Sequence, residues 1–395
     1  MITRELCGEQ VSLLGFGAMR LPENPDGSIN VSLVNEMVDL AMAKGINYFD
    51  TAYPYHGGMS EIVIGEALAR YPRESWHLAN KYPGHQVMSE YNPTEIFEEQ
   101  LQKCGVEYFD FYLLHNVNEK SIETYRDERW GIVDYFIEQR RLGRIKHLGF
   151  SSHARVDGLR EFLDLYGDEM DFCQIQMNYL DWTLQRANEK YEMLTERGIP
   201  VIVMEPVRGG KLASLPDFAE KKLNGYRPEA SMASFAFRWL TAFDNVKVIL
   251  SGMSNMEQLV DNIATFDKPD YLTDEENAYL LAVAEGMKKS VPCTACRYCV
   301  DGCPMGLDIP MFMATYNELS YQKGVNSAIH IQSLPTEKQP NACVTCGRCA
   351  RVCPQNIDVP LVIKKLIDIL GEVPNWVDIC REREMAARKL KEENK

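Results

Sequence analysis

The chain has 395 residues, of which 45% are hydrophobic and 25% charged, and carries a formal net charge of −15 at pH 7. That length suits a large domain plus a smaller one, and the balance of apolar to charged residues excludes wholesale disorder. The acidity argues against nucleic acid or an anionic membrane surface as a partner, since either needs a basic patch against phosphate.

The opening MITRELCGEQ has charges where a secretory leader needs an apolar core, and no uncharged run reaches about 18 residues, so a cytoplasmic protein is expected. From residue 12 to about 266, apolar runs alternate with helical patterns. The runs are LLGFG (13–17), INYFD (46–50), HLANK (77–81), FDFYLLH (109–115), IKHLGFS (145–151), FCQIQMN (172–178), PVIVME (200–205) and VKVILSG (246–252). Between them, stretches such as VSLVNEMVDLAMAKG (31–45) and LQRANEKYEMLTERG (184–198) space apolar residues three and four apart, and several close on a glycine suited to a helix C-cap. Eightfold strand–helix alternation predicts an α/β fold, a (β/α)8 barrel over 1–270.

The catalytic end of such a barrel lies at the C-terminal ends of its strands. Each run here ends near a polar residue, among them Asp50, Lys81, His115, Ser151, Asn178, Glu205 and Ser251. Strand ends meet solvent and are often polar for that reason alone; the joint pattern is what marks them. TDEENAYLLAVAEGMKK (273–289) opens with Thr273 and Glu276 in capping-box spacing and predicts a connecting helix within 271–289. A second domain is expected over 290–395, ending in the charged helical stretch REREMAARKLKEENK (381–395), a solvated face or tail.

Four of the twelve cysteines, Cys7, Cys104, Cys173 and Cys380, are scattered and read as small buried hydrophobes. The other eight form a duplication. Cys293, Cys296, Cys299 and Cys303 precede Pro304, and Cys343, Cys346, Cys349 and Cys353 precede Pro354, every position offset by 50. GLDIP (306–310) and NIDVP (356–360) extend the match, and each leads into an apolar helix. The spacing C-x2-C-x2-C-x3-C-P suits [4Fe-4S] clusters, in which the fourth cysteine of each run ligates the opposite cluster. The expected sets are therefore Cys293, Cys296, Cys299 and Cys353 for one cluster, and Cys343, Cys346, Cys349 and Cys303 for the other. A zinc ribbon would use paired C-x2-C elements with no third cysteine two residues on. The long insert between the runs, with helical MFMATYNELSY (311–321), suits a helical dicluster ferredoxin-like domain that transfers electrons.

YFDTAYPYHGGMSEIVIGEAL (48–68), HLANKYP (77–83) and YLLHNV (112–117) together resemble the aldo/keto reductase family, and the likeness runs over nearly all of residues 3–266. The opening ITRELCGEQVSLLGFGAMRLP resembles the hairpin that closes the bottom of that barrel. The resemblance implies that Tyr55 protonates a carbonyl oxygen as hydride reaches carbon, that Lys81 lowers the Tyr55 pKa, that Asp50 pairs with Lys81, and that His115 orients or polarises the carbonyl. His77, His147 and His330 have no such partners and read as structural.

On the cofactor side the resemblance assigns Ser151, Ser152 and Gln174 to the nicotinamide carboxamide of NAD(P)H, with Ser152 replacing an asparagine. EPVRGGKL (205–212), including Arg208, Gly209 and Gly210, is similar to the family's pyrophosphate loop, but Glu205 stands where many members have a tyrosine that stacks on nicotinamide. A carboxylate cannot stack and favours a hydrogen-bond donor or a cation. SGMSNMEQLVDN (251–262) is similar to the adenosine loop, with Ser251, Asp261 and Asn262 in it. Gly252 and Gln258 occupy the places where members preferring NADPH carry Lys and Arg, which puts specificity for NADPH in doubt.

A nicotinamide transfers two electrons as hydride and a cluster transfers one, so the two need an intermediary. Three arrangements satisfy this: a flavin (FMN) in the barrel mouth, stepwise reduction of the substrate through a radical, or structural clusters beside a plain carbonyl reductase. VNEKSIETYRDERW (117–130) is expected to line the substrate pocket. The expected partners are a small-molecule substrate and a candidate redox partner protein; the contrasting reading is an electron-transfer protein whose barrel is a docking scaffold.

Overall fold

Thr3–Leu6 (β1) and Glu9–Ser12 (β2) pair antiparallel as a hairpin. Its two-residue turn, Cys7 at φ 52° and Gly8 at φ 87°, is left-handed at both positions, which matches the twist of the flanking strands. The structure is a computed structural model that describes all residues except 289, 290, 292, 294, 354, 356, 394 and 395, and describes 298 and 387–393 by backbone alone. The domain boundary expected near residue 289, and Pro354 of the second cysteine run, lie outside the described residues.

Eight strands follow: Leu14–Gly17 (β3), Tyr48–Asp50 (β4), His77–Tyr82 (β5), Phe109–Val117 (β6), Ile145–Ser152 (β7), Phe172–Gln176 (β8), Val201–Met204 (β9) and Val246–Ser251 (β10). They pair in parallel in the order β10-β3-β4-β5-β6-β7-β8-β9, and β9 returns to β10 to close the barrel. Helices cover one side of every strand and packed side chains fill the interior, so the strands are buried on both faces, which is why they read as apolar runs rather than alternating patterns. Leu6 and Val11 of the hairpin share a core cluster with Tyr48 and Phe172, the first residues of β4 and β8. The hairpin therefore closes the end where the strands begin, and the opposite end holds the polar residues.

The helices begin where the sequence supplies caps. Asn30 accepts from the Leu33 N–H to start Val31–Ala43, Asn92 from Glu95 to start Pro93–Cys104, and Asn255 from Gln258 to start Met256–Phe266. Thr273 and Glu276 form the reciprocal capping box of Asp274–Met287: the Thr273 Oγ1 accepts from the Glu276 N–H at 3.2 Å and Glu276 accepts from the Thr273 N–H at 2.7 Å. The helix expected over 184–198 begins only at Ala187, because Asp181–Leu184 forms a separate turn around a buried Asp181 carboxylate.

The chain forms two compact units, Met1–Leu281 with the chain from Arg383 onward, and Ala282–Glu382. In the second, Ile309–Tyr321 and Val359–Gly371 repeat one design: Asp308 and Asp358 each cap the N-terminus, with a proline in the first turn. Phe312, Met313, Val362, Ile363 and Leu366 form its core with Leu307 and Ile357. The duplication extends to the backbone. Ala295 and Thr345 take φ of 54° and 50°, and Arg297 and Gly347 take 66° and 70°, so the same left-handed residues recur between the cysteines of each copy. Among the described residues no helix is long and apolar enough to cross a membrane.

Candidate active site and cysteine clefts

Strands β4, β5 and β6 bring Asp50, Lys81 and His115 to the same end of the barrel, and the loop after β4 adds Tyr55. Lys81 is 0% exposed and Asp50 3%. The Lys81 Nζ donates to Asp50 Oδ1 at 2.5 Å and to the Thr51 carbonyl at 2.7 Å. Burial pulls the ammonium's pKa down and pushes the carboxyl's up, and each charge opposes the other's shift, so both persist only as a pair. Asn80, facing the opposite side of β5, joins Gln100 and the buried Glu61 in a network in which Gln100 Nε2 also donates to the Lys81 carbonyl at 3.1 Å. This network holds the strand behind the lysine.

The Tyr55 ring lies 5.1 Å from the Lys81 Nζ and 6.0 Å from the His115 ring. The sequence reading had Lys81 lower the Tyr55 pKa. In the structure burial is the largest influence and raises it, Asp50 and Glu205 add to the rise, and Arg383 opposes. Burial lowers the His115 pKa most, His85, Lys81, His153 and Arg383 lower it further, and its buried Nδ1 has no hydrogen-bond partner among the described residues.

On the cofactor side the assigned residues separate into two groups. Gln174 is buried, its Oε1 has no hydrogen-bond partner among the described residues, and its amide nitrogen reaches only the Met204 sulfur at 3.6 Å. An amide oxygen left open beside the barrel mouth fits a carboxamide donor, so this residue is compatible with nicotinamide. Glu205 sits at φ 57°, half-buried; burial raises its pKa, while Arg20 and the Gly209 N–H favour its charged form. Gly209 and Gly210, at φ 61° and 93°, keep the loop exposed and open.

The rest make internal contacts. The Ser151 Oγ accepts from the Asn116 N–H at 2.8 Å, and the Ser152 Oγ donates to the Val117 carbonyl at 3.0 Å and accepts from the Ala154 N–H. Arg208 turns inward to form a buried ion pair with Asp181, which also accepts from Gln176 and Asn178. Asn262 donates to the Ser251 Oγ at 2.9 Å, Asp261 accepts from Ser231 at 2.6 Å, and Gln258 accepts from the Ser254 N–H at 2.8 Å.

Three residues that the sequence reading did not select stand at this end. His85, four residues beyond Lys81, places its ring 4.4 Å from His115, and burial with the Arg383 and His153 charges pushes its pKa down to about 3. Arg20, three residues past β3, supplies the cation beside Glu205, and a Cβ at Gly252 would lie 3.3 Å from the Arg20 Cβ. Arg383 acts on Tyr55, His85 and His115 from the C-terminal segment. His85 and Arg20 follow strand ends, the one signal that could have found them. His77, read as structural, lies with its Nδ1 3.7 Å from the buried Asp110 at the other end of β5.

In the second unit two clefts face the cysteines. One, an open cleft of about 350 Å³ counted with its solvent-facing mouth, is lined by Cys293, Cys296, Cys299 and Cys353 with Ile309, Met313 and Ile357. The other, about 340 Å³, is lined by Cys343, Cys346, Cys349 and Cys303 with Leu307 and Ile363. Each thus takes three cysteines from one copy and the last from the other. The Leu307 N–H lies 3.5 Å from the Cys303 sulfur. Four thiols around an apolar hollow fit an iron–sulfur cluster, whose sulfur ligands stand apart at the corners of a cage. Among the described residues no group of three His, Cys, Asp or Glu side chains is close enough to hold a single ion. Cys104, Cys173 and Cys380 are buried and Cys7 is partly buried.

A closed parallel eight-stranded barrel with these residues at its open end, followed by a cysteine-bearing helical unit, defines an oxidoreductase joined to an iron–sulfur module. The sequence profile of the aldo/keto reductase family matches residues 13–285, and that of the 4Fe-4S dicluster domain matches 292–357. The chain belongs to the aldo/keto reductase family and carries a 4Fe-4S dicluster domain after the barrel. It is 26% identical to the NADH-specific methylglyoxal reductase of Escherichia coli, across 71% of this chain and 96% of that one. It is likewise 26% identical to the NADPH-dependent alpha-keto amide reductase of Saccharomyces cerevisiae, across 67% and 84%. The holo structure of an aldo-keto reductase from Bacillus halodurans shares the fold, with a TM-score of 0.58 and 24% identity over 72% of this chain and 96% of that one.

Proposed function

We propose that the protein reduces a carbonyl or related unsaturated small molecule, or runs the reverse reaction, and that two [4Fe-4S] clusters pass electrons to or from the barrel site. The observation that carries the electron-transfer half is the division of the eight cysteines between two clefts, three plus one crossed, as two adjacent cubanes require. For the barrel half, support comes from the buried Lys81–Asp50 pair beside Tyr55 and His115.

In this reading Tyr55 stays protonated and donates its phenolic proton to the carbonyl oxygen. The pair of Lys81 and Asp50 fixes the charge beneath it, and neutral His115 orients the carbonyl by hydrogen bonding. Gln174, through its open amide oxygen, and Ser151, through its remaining hydroxyl hydrogen, would hold the carboxamide of a nicotinamide, which would supply hydride. The cysteine sets Cys293, Cys296, Cys299, Cys353 and Cys303, Cys343, Cys346, Cys349 would hold the clusters, which supply single electrons. Linking the two currencies needs a group with a stable one-electron state, and an FMN at the Glu205 end of the mouth is the cofactor class that meets the need.

Two measurements test this. Tyr55→Phe should lower carbonyl reduction by about 100-fold or more with cluster absorbance intact; unchanged turnover would leave the barrel as a docking scaffold. Anaerobic titration with NADH and NADPH should bleach the clusters, and denatured protein should release flavin. Turnover without bleaching would make the clusters structural.

A further inference from the structure

The duplication in the second unit contains its own control, because the two cysteine copies match in backbone but differ at the rim of their clefts. In the cleft of Cys303, Cys343, Cys346 and Cys349, the lining residue Val344 is 55% exposed. Arg348 lines the same cleft, and both it and Arg351 point into solvent. A guanidinium nitrogen of Arg351 comes within 3.8 Å of where a Cβ on Gly347 would stand. Lys338 is exposed and donates to the carbonyl of Met305, another lining residue, at 2.9 Å. Cys346 is itself exposed.

Fifty residues earlier the equivalents of Val344 and Arg351 are Thr294 and Asp301. Among the described residues lining that copy's cleft the cation is Arg297, 3.5 Å from the Asp308 carboxylate. Among the described residues neither Arg348 nor Arg351 has an ion-pair partner. An exposed valine flanked by arginines without carboxylate partners makes this rim locally basic on a chain of net charge −15, a patch complementary to an acidic surface.

We infer that the rim formed by Val344, Arg348 and Arg351 is the docking face for a small acidic one-electron carrier protein. The inference rests on the electron-transfer reading above and adds where the electrons cross the surface. Val344 supplies an apolar contact and the arginines with Lys338 the complementary charge, the arrangement that speeds encounter and fixes orientation at transient interfaces. At each encounter the carrier would lose one electron and be oxidised, and the cluster that Cys303, Cys343, Cys346 and Cys349 would hold would gain it and be reduced. No bond forms or breaks at the rim; two encounters supply the two electrons of one hydride equivalent, and the proton comes separately from solvent.

The test uses the full-length protein, purified anaerobically, with fully reduced flavodoxin as the acidic probe and dithionite as the small-molecule control. Stopped-flow bleaching of the cluster absorbance by flavodoxin should slow about tenfold or more in Arg348→Glu/Arg351→Glu at low salt, and the steep salt dependence of the natural chain should flatten. Val344→Ser should slow it without changing the salt slope. Asp301→Asn, on the other copy, should leave the rate within about twofold. Equal flavodoxin rates for the double variant and the natural chain, with dithionite bleaching both, overturn the docking face alone. A natural chain that dithionite cannot bleach overturns the electron-transfer reading and the docking face with it.

Discussion

Replacing Asp50 by Asn leaves an acceptor for the Lys81 ammonium but removes the charge that justifies its burial. The Nζ sits 2.5 Å from Asp50 Oδ1 and 2.7 Å from the Thr51 carbonyl, in a site from which water is excluded. With charge centres about 3 Å apart and an effective dielectric of about 20, the lost attraction is about 5.5 kcal/mol. Relaxation, and the lysine's freedom to shed its proton, reduce that to the about 3–5 kcal/mol found when one partner of a buried pair is removed. At a urea slope of about 3 kcal/mol per molar the midpoint of barrel unfolding should fall by about 1 to 1.7 M at neutral pH. The loss must shrink as pH rises. Without Asp50, burial still depresses the Lys81 pKa, so the unfolded chain binds the extra proton and stability climbs towards the unfolded lysine's pKa of about 10.4. Adding Lys81→Met should restore part of the loss, since no buried charge is then left alone. Anaerobic urea melts at neutral pH and about pH 9.5, followed by tryptophan fluorescence, check all three points. A single variant within about 1 kcal/mol of the natural chain and flat in pH would refute the pairing argument.

The raised pKa of Tyr55 and the depressed ones of His115 and His85 mean that the acid stays protonated above the usual tyrosine value and both histidines stay neutral below the usual histidine value. The kcat for carbonyl reduction should therefore be flat from about pH 6.5 to 9, and a limb at about pH 6–7 would count against that assignment. Cys353→Ala should empty the cleft of the first three cysteines, lowering iron from about eight to about four per chain while the cluster of its own run survives by EPR. Loss of the signal tied to Cys343, Cys346 and Cys349 instead would reject the crossed ligation. Gly65→Ala would place a Cβ 2.4 Å from the Cys104 carbonyl oxygen, where helices Met59–Leu68 and Pro93–Cys104 touch, and should cost about 3 kcal/mol in the same urea melts.

Local chemistry was legible along the chain. Eight runs of Val, Ile, Leu, Phe and Tyr became β3 to β10 because strands buried on both faces carry no alternation to obscure them. The caps at Asn30, Thr273, Asp308 and Asp358 are short-range contacts, complete within a turn of helix, and so are spelled out by neighbouring residues. The cysteine duplication belongs here too, since a spacing repeated at an offset of 50 is a property of the string itself. Side-chain direction was not legible. Arg208 lies in a loop that suggests phosphate, yet it turns to Asp181, and Asn262, suited to adenine, is drawn to Ser251. Whether Lys81 faces Tyr55 or Asp50, whether Glu205 finds a cation, and which residue meets it depended on barrel closure, which brings β3 against β10 and Arg20 beside Gly252. Sequence determines what a residue can do with its near neighbours; burial and charge at the barrel mouth come from residues hundreds of positions apart, and only the closed fold sets those distances.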